Sequence, residues 1–273
     1  MEEEAPLVTF HLASDLHLEF GEKFEVPKPE SPGKHICILA GDIGHPTKPH
    51  YKEFLVKTRK KFDEVVVILG NHEYFSKNKR KLHANIQEVI ATAKAVAENT
   101  GCILLDRDVY TLPDEKISIL GCTLWSHIKP EEYYTAKQGD SDFRNVYLGG
   151  GDYLTPPLYD EWHQRDLEWL TREITERPDE NLVIVTHHCP TMRVIDPIYH
   201  QSPLNMCYVT DLEYLFKDSV KIWTCGHSHR RGSCLVNERW CALNPRGYPS
   251  ENREFQPLSF SFFKGGELKL IIR

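Results

Sequence analysis

Five apolar, strand-like runs in this 273-residue chain each end on a residue whose side chain can bind a metal ion. Residues 7–13 run into Ser14-Asp15-Leu16-His17, and residues 36–40 into Gly41-Asp42. Residues 65–69 lead to Gly70-Asn71-His72, 182–186 to His187-His188, and 221–225 to Gly226-His227-Ser228-His229. In an α/β protein the carboxyl ends of neighbouring strands open onto one crevice, so side chains remote in sequence meet at one edge. Two Asp, one Asn and several His gathered there have the donor chemistry of a two-metal centre.

The stretches between those runs alternate in the expected way. Residues 49–62 can form a helix, and Val65-Val66-Val67-Ile68-Leu69 reads as a central strand buried on both faces. Residues 79–99 place Leu82, Ile86, Val89, Ile90, Ala93 and Ala97 on one helical face, with Gly101 just past the end. From Cys102 the period changes: residues 103–105, 109–112 and 117–124 are short strand candidates separated by turns. Residues 129–153, polar and aromatic and ending in Gly149-Gly150-Gly151, read as a long cap or loop over the site. Thr155-Pro156 opens a helix with Leu158, Trp162, Trp169, Leu170 and Ile174 inward. The chain then offers a short helix over 211–216 and strands over 233–236, 258–263 and 268–272, the last two joined by Lys264-Gly265-Gly266-Glu267. With no repeat and no low-complexity linker, residues 1–273 read as a single α/β domain.

Composition excludes several classes. No apolar run approaches membrane-spanning length, and the acidic start lacks the basic and apolar regions of a secretory signal, so no membrane partner and a cytoplasmic location are expected. A net charge of −7 argues against a broad nucleic-acid footprint. The basic clusters at 57–61 and 77–81 read as solvated faces, the second close enough to His72 to draw in an anion. The eight cysteines form no CxxC pair and several sit inside strand patterns, as reduced, buried thiols do.

Local geometry explains the residue types at the strand ends. Alternate residues of extended chain project to one side, so Asp15 and His17 can grip one ion, as can His227 and His229. The glycine before Asp42 permits a sharp turn, and a carboxylate with two oxygens can bridge two cations. Asn71 offers a neutral amide oxygen. A lone Asp-x-His or Gly-Asp is usually an ordinary turn; the ordered set, each piece after a strand, is much more specific.

These motifs (Asp15-Leu16-His17, Gly41-Asp42, Gly70-Asn71-His72-Glu73, His187 and Gly226-His227-Ser228-His229) resemble the calcineurin-like metallophosphoesterase superfamily, in its order and across nearly the whole chain. Asp142-Phe143-Arg144 and Asn244-Pro245-Arg246-Gly247-Tyr248 are similar, more loosely, to segments of a small-phosphohydrolase branch. The resemblance implies a four-layer α-β-β-α sandwich with two mixed central sheets and a dinuclear site at the strand ends. It implies that Asp15, His17, Asp42 and His229 hold one metal and Asp42, Asn71, His187 and His227 the other, Asp42 bridging. Only the resemblance favours His187 over His188.

The chemistry such a centre supports is hydrolysis of a phosphomonoester or phosphodiester. Two cations about 3.5–4 Å apart acidify a bridging water for in-line attack and bind the phosphoryl oxygens. Manganese, iron and zinc suit these donors alike. His72, beside Asn71 but not itself a ligand, is expected to protonate the leaving oxygen or to stabilise the phosphorane-like charge. Arg144 could fork onto a phosphate and His45 could contact substrate, though each is equally an ordinary loop residue. His127 and Arg246 are remoter candidates, and His11, His35, His50, His83, His163 and His200 carry no supporting pattern. A small phosphate ester or phosphorylated molecule is the expected partner. The other readings are a non-catalytic scaffold of the same fold, whose ligands would have eroded, and a nuclease, which the acidic balance disfavours.

Overall fold

Runs of β-branched residues build two six-stranded sheets, seen in a computed structural model that describes residues 5–21, 23–75, 85–249, 251, 255 and 258–272. In chain order the first part holds β1 (Val8–Ala13), β2 (His35–Ala40), α1 (Pro49–Arg59), β3 (Glu64–Ile68), α2 (Ile86–Thr100), β4 (Ile103–Leu104), β5 (Asp108–Leu112) and β6 (Ile117–Cys122). Then come α3 (Tyr133–Gly139), α4 (Asp142–Asn145), β7 (Tyr147–Gly149), β8 (Asp152–Tyr153), α5 (Pro156–Glu176) and β9 (Asn181–Thr186). The last are β10 (Val220–Cys225), β11 (Gly232–Val236), β12 (Arg239–Leu243), β13 (Leu258–Phe262) and β14 (Leu268–Ile272).

The first sheet runs β14-β13-β1-β2-β3-β4, with β1 to β4 parallel and β13 antiparallel to both of its neighbours, β1 and β14. The second runs β11-β12-β10-β9-β6-β5, its central four strands parallel and its outer two antiparallel. Both are mixed sheets, and they pack face to face. Side-chain alternation makes the layers: Ile36, Ile38 and Ala40 of β2 enter the apolar layer between the sheets, while Cys37 and Leu39 face α1 and α2. Likewise Val183 and Val185 of β9 fill the central layer, whereas Leu182 and Ile184 meet Trp169, Leu170 and Ile174 of α5. Burial on both faces is why these strands read as unbroken apolar runs. The result is an α-β-β-α sandwich.

Several expectations can be placed on this frame. Of the helix expected over 79–99, residues 79–84 lie outside the described residues; α2 starts after Asn85, which shares a capping box with Glu88, and ends at Gly101 in a left-handed conformation (φ 68°). The basic cluster at 57–61 is structural: Arg59 donates to the Gly101 carbonyl (2.9 Å) and Lys61 to Glu25 (2.8 Å). The cluster at 77–81, with Leu82 and His83, lies outside the described residues. All eight cysteines are free, and all but Cys234 are buried.

Residues 129–153 differ from the long loop expected. They carry α3, α4 and the β7–β8 hairpin, and bury Ala136, Phe143 and Val146 against Leu69, Tyr74, Trp125 and Tyr159. Elements this short have weak local propensity and are held by the packing of a few apolar residues, so periodicity could not reveal them. Residues 211–216 form a single 3-10 turn, Glu213–Leu215. Among the described residues, no helix is long and apolar enough to cross a membrane.

Candidate metal centre

The parallel neighbours β1, β2 and β3 deliver Asp15, His17, Asp42 and Asn71 to one edge of the first sheet. The parallel neighbours β9 and β10 deliver His187, His227 and His229 to the facing edge of the second. A parallel bridge between Ser14 and Pro245 ties the two edges together, reinforced by Asn244, whose amide donates to the Leu12 carbonyl (2.7 Å). The chain turns sharply as it leaves these strands. Asp15 (φ 51°), His17 (48°), Asp42 (55°), His227 (65°) and His229 (52°) all adopt left-handed backbone, which is rare for non-glycine residues and concentrates at functional sites. Space is equally tight at Gly70, where a Cβ would fall 2.2 Å from Asp42 Oδ1.

Two groups of donors result. In the outer group, the Nε2 atoms of His17 and His229 are 3.0 Å apart, and His229 Nε2 is 3.4 Å from Asp15 Oδ1. In the inner group, His187 Nε2 lies 3.1 Å from Asn71 Oδ1 and 3.3 Å from Asp42 Oδ2, and His227 completes a cluster with Asp42 and His187. Asp42 Oδ2 is also 3.9 Å from His17 Nε2, so this carboxylate stands between the groups. The other oxygen of Asp42 accepts the backbone N–H of His72 (2.8 Å). A cleft of about 330 Å³ opens over both groups, with His72 and Tyr248 in its wall.

Electrostatics follow from putting carboxylates and imidazoles together out of water. Burial alone would raise the Asp42 carboxyl, but the charges of His187 and His72 hold it well below its usual range. Asp15 is likewise lowered against burial, chiefly by its contact with His229. Burial opposes charge on His187 and His229 too; Asp42 lifts the first to about 10 and Asp15 the second to about 9. His227 is driven down by burial and by the imidazoles of His188 and His187.

The donors suit divalent cations. Two imidazole nitrogens at 3.0 Å, facing a common carboxylate, converge on one point. The Nε2 of His227 is buried and has no hydrogen-bond partner among the described residues, an exposure to desolvation cost that a cation would relieve. His187 donates its Nδ1–H to the Ala40 carbonyl (2.9 Å), which leaves Nε2 as a free donor atom toward Asn71 and Asp42.

The sequence matches the calcineurin-like phosphoesterase description over residues 8–231. The chain belongs to the calcineurin-like phosphoesterase family. It is 26% identical, over 267 residues covering 90% of this chain and 94% of the other, to an uncharacterized protein of Acanthamoeba polyphaga mimivirus. The crystal structure of phosphopantetheinyl hydrolase from Mycobacterium tuberculosis superposes with a TM-score of 0.69 at 18% identity, covering 97% of this chain and 96% of that one. A putative 5′-nucleotidase from Staphylococcus aureus gives 0.53 at 14% identity, covering 97% of this chain and 53% of the other. At these identities the two structures establish the fold alone.

In this phosphoesterase the motif readings and the clamps around them divide cleanly. The structure brings the seven candidate ligands and His72 to one end of the two sheets. His188 is turned away from the donor groups, its ring nitrogens facing the Tyr159 hydroxyl (3.1 Å) and the Thr123 carbonyl (3.4 Å). Arg144 is exposed and donates to the Gln138 carbonyl (3.0 Å), and His45 contacts the Thr47 hydroxyl (2.8 Å); neither lines the cleft. His127 pairs with Asp160 (2.7 Å), and Arg246 reaches over the Phe24 ring.

Four carboxylates and one tyrosine were missed. Glu73 accepts the backbone N–H groups of Asp42 (3.0 Å), Ile43 (2.7 Å), Gly44 (3.3 Å) and Gly70 (2.8 Å), binding two ligand loops together. Burial and the Asp42 charge push its carboxyl up to about 8. Asp142 accepts from the amide of Asn71 (2.8 Å), turning the Asn71 oxygen toward His187. Glu251 accepts from His229 Nδ1 (2.6 Å), and one oxygen of Glu19 faces both His17 (3.1 Å) and His72 (3.2 Å). Burial opposes the Glu19 charge, but those two imidazoles bring its carboxyl down to about 2. Tyr248 places its hydroxyl 3.3 Å from His72 Nε2. The only sequence signals for these residues were Glu73 within Gly-Asn-His-Glu, and Asp142 and Tyr248 within the segments similar to the phosphohydrolase branch.

Proposed function

We propose that this protein hydrolyses a small phosphate ester at a pair of cations, one held by Asp15, His17, Asp42 and His229 and the other by Asp42, Asn71, His187 and His227. The observation that carries the reading is Asp42, one carboxylate oxygen of which reaches toward imidazoles of both groups. Cations of the manganese, iron or zinc type held by these residues would supply Lewis acidity toward a water and the phosphoryl oxygens. The protein's own groups do the rest. Asp15, Asp42 and the neutral Asn71 set the charge of the site; the glycines and Glu73 fix the loops that carry Asp42 and Asn71. His72, anchored through its backbone N–H to Asp42 and set in the cleft wall, donates a proton to the leaving oxygen.

The cleft also supports a small substrate. Asp140, Asp196 and Glu251 line it, an unfavourable setting for a polyanionic backbone. Ligands drawn from residues 15 to 229 support one domain for the chain, and eight unpaired thiols support a reducing, cytoplasmic setting. The test is direct. Protein stripped of metal and reloaded with Mn²⁺ should cleave p-nitrophenyl phosphate or its bis-ester, with phosphopantetheinyl conjugates in the same screen because the mycobacterial hydrolase is named for that group. No turnover with any divalent metal rejects the reading. Fewer than two bound ions per chain would instead fit a scaffold, and salt-sensitive oligonucleotide binding a nuclease.

A further inference from the structure

We infer that Glu19 is the positioning residue for His72: a single carboxylate oxygen fixes the proton of His72 on Nδ1 and so presents Nε2 to the cleft. The inference rests on the phosphoester reading of the site for its chemical consequence, but its geometry stands alone. Glu19 rides on the 3-10 turn Leu18–Phe20, which begins directly after His17 and its left-handed backbone (φ 48°). The turn folds the side chain back beneath both rings, where it is 7% exposed. Its Oε1 is 3.1 Å from His17 Nδ1 and 3.2 Å from His72 Nδ1, whereas Oε2 is buried with no hydrogen-bond partner among the described residues. The carboxylate thus directs one oxygen at two imidazoles.

The consequence is tautomeric control. An imidazole that donates Nδ1–H to a carboxylate keeps Nε2 for the reaction. For His17, Nε2 then points to His229 and Asp42, the outer donor group. For His72, Nε2 points to the Tyr248 hydroxyl (3.3 Å) in the cleft wall, while the ring stacks on Phe75 (centroids 4.1 Å apart) and cannot turn freely. When the P–O bond to the leaving group breaks, His72 acts as the imidazolium, with Nδ1–H held by Glu19, and the leaving oxygen takes its second proton from Nε2. His72 is left neutral with its remaining proton on Nδ1 against Glu19, and water restores the lost one. Glu19 itself touches no substrate, so its effect should scale with how much the leaving oxygen needs a proton.

Two readouts on the full-length, Zn²⁺-loaded protein test this. Long-range ¹H–¹⁵N spectra of histidine-labelled protein, recorded at a pH where the ring is neutral and with His72 assigned by its loss in His72→Gln, should show the Nδ1–H form. Glu19→Ala and Glu19→Gln should both populate the Nε2–H form, which free imidazole prefers. In kinetics, Glu19→Gln should slow cleavage of phenyl phosphate by about 100-fold and of p-nitrophenyl phosphate, with its better leaving group, by less than about 10-fold. Because Glu19 also contacts His17, both esters are measured with Zn²⁺ in saturating excess, so that a weakened outer ion does not mask the comparison. Equal losses on both esters, or an unchanged His72 tautomer, would each overturn the assignment. If wild-type protein cleaves neither ester, the hydrolase reading fails, while the spectra still decide what Glu19 does.

Discussion

The outer and inner halves of the centre are held by different means. In the outer half, carboxylate side chains pin the imidazoles from behind: Glu19 holds His17, and Glu251, 41% exposed, holds His229, itself 17% exposed. In the inner half, a backbone carbonyl holds His187, the buried Asp142 holds Asn71, and His187 has no exposure at all. One outer clamp, Glu251 on His229, is thus reached by water and salt, whereas Glu19 and the partners of the inner donors are buried. Carboxylate or carbonyl partners of this kind orient ligands and tune their basicity, so the two halves should differ in how tightly and how durably they hold an ion.

Asp42 belongs to both halves, and its loss should have the largest effect. Asp42→Asn should lower kcat/KM by about 10³-fold or more, since it removes charge from both donor groups at once. Retention of two ions and most activity would show that the halves do not share this carboxylate. Next in size, Asp142→Ala should weaken the inner ion by about 10- to 100-fold in a chelator competition titration. Glu251→Ala, acting through an exposed contact, should weaken the outer ion by less than about 10-fold. Equal effects would mean that burial does not distinguish the halves.

Metal removal sharpens the comparison further. Dialysis against a chelator should release ions in two phases, the outer first, as followed by elemental analysis of the protein; a single phase would contradict the contrast. The smallest expected effect is on stability. In the metal-free protein His187 has its folded value raised from 6.5 to about 10, because the Asp42 carboxylate outweighs burial. A raised value stabilises fully below 6.5 and is lost as pH climbs through 10. The Tm of stripped protein should therefore fall by several degrees over that range, and metal-loaded protein, whose His187 is neutral, should lack this component.

The same contrast explains what the sequence could reveal. The candidate ligands were legible because each follows an apolar run by a few residues, and strand polarity then dictates that they meet. Their clamps obey no such rule. Glu19 works only because the chain reverses after His17, and Glu251 only because its loop returns to His229, so neither has a periodic or compositional signal. Asp142 sits in a four-residue helix stabilised by the burial of Phe143, within a region whose sparse apolar residues read as loop. Adjacent His187 and His188 could not be ranked by pattern either. It took the fold to show that the first faces Asp42 and the second Tyr159. Arg144 illustrates the reverse limit: a plausible phosphate anchor by chemistry, it is directed to a neighbouring carbonyl outside the cleft.

The central claim is that two cations share Asp42, and anomalous diffraction from crystals grown with Mn²⁺ tests it most directly. Two peaks flanking that carboxylate, one contacting His17 and His229 and the other His187 and His227, are the predicted result. One peak alone, or manganese bound against Glu19 and His72 in place of the inner group, would contradict it.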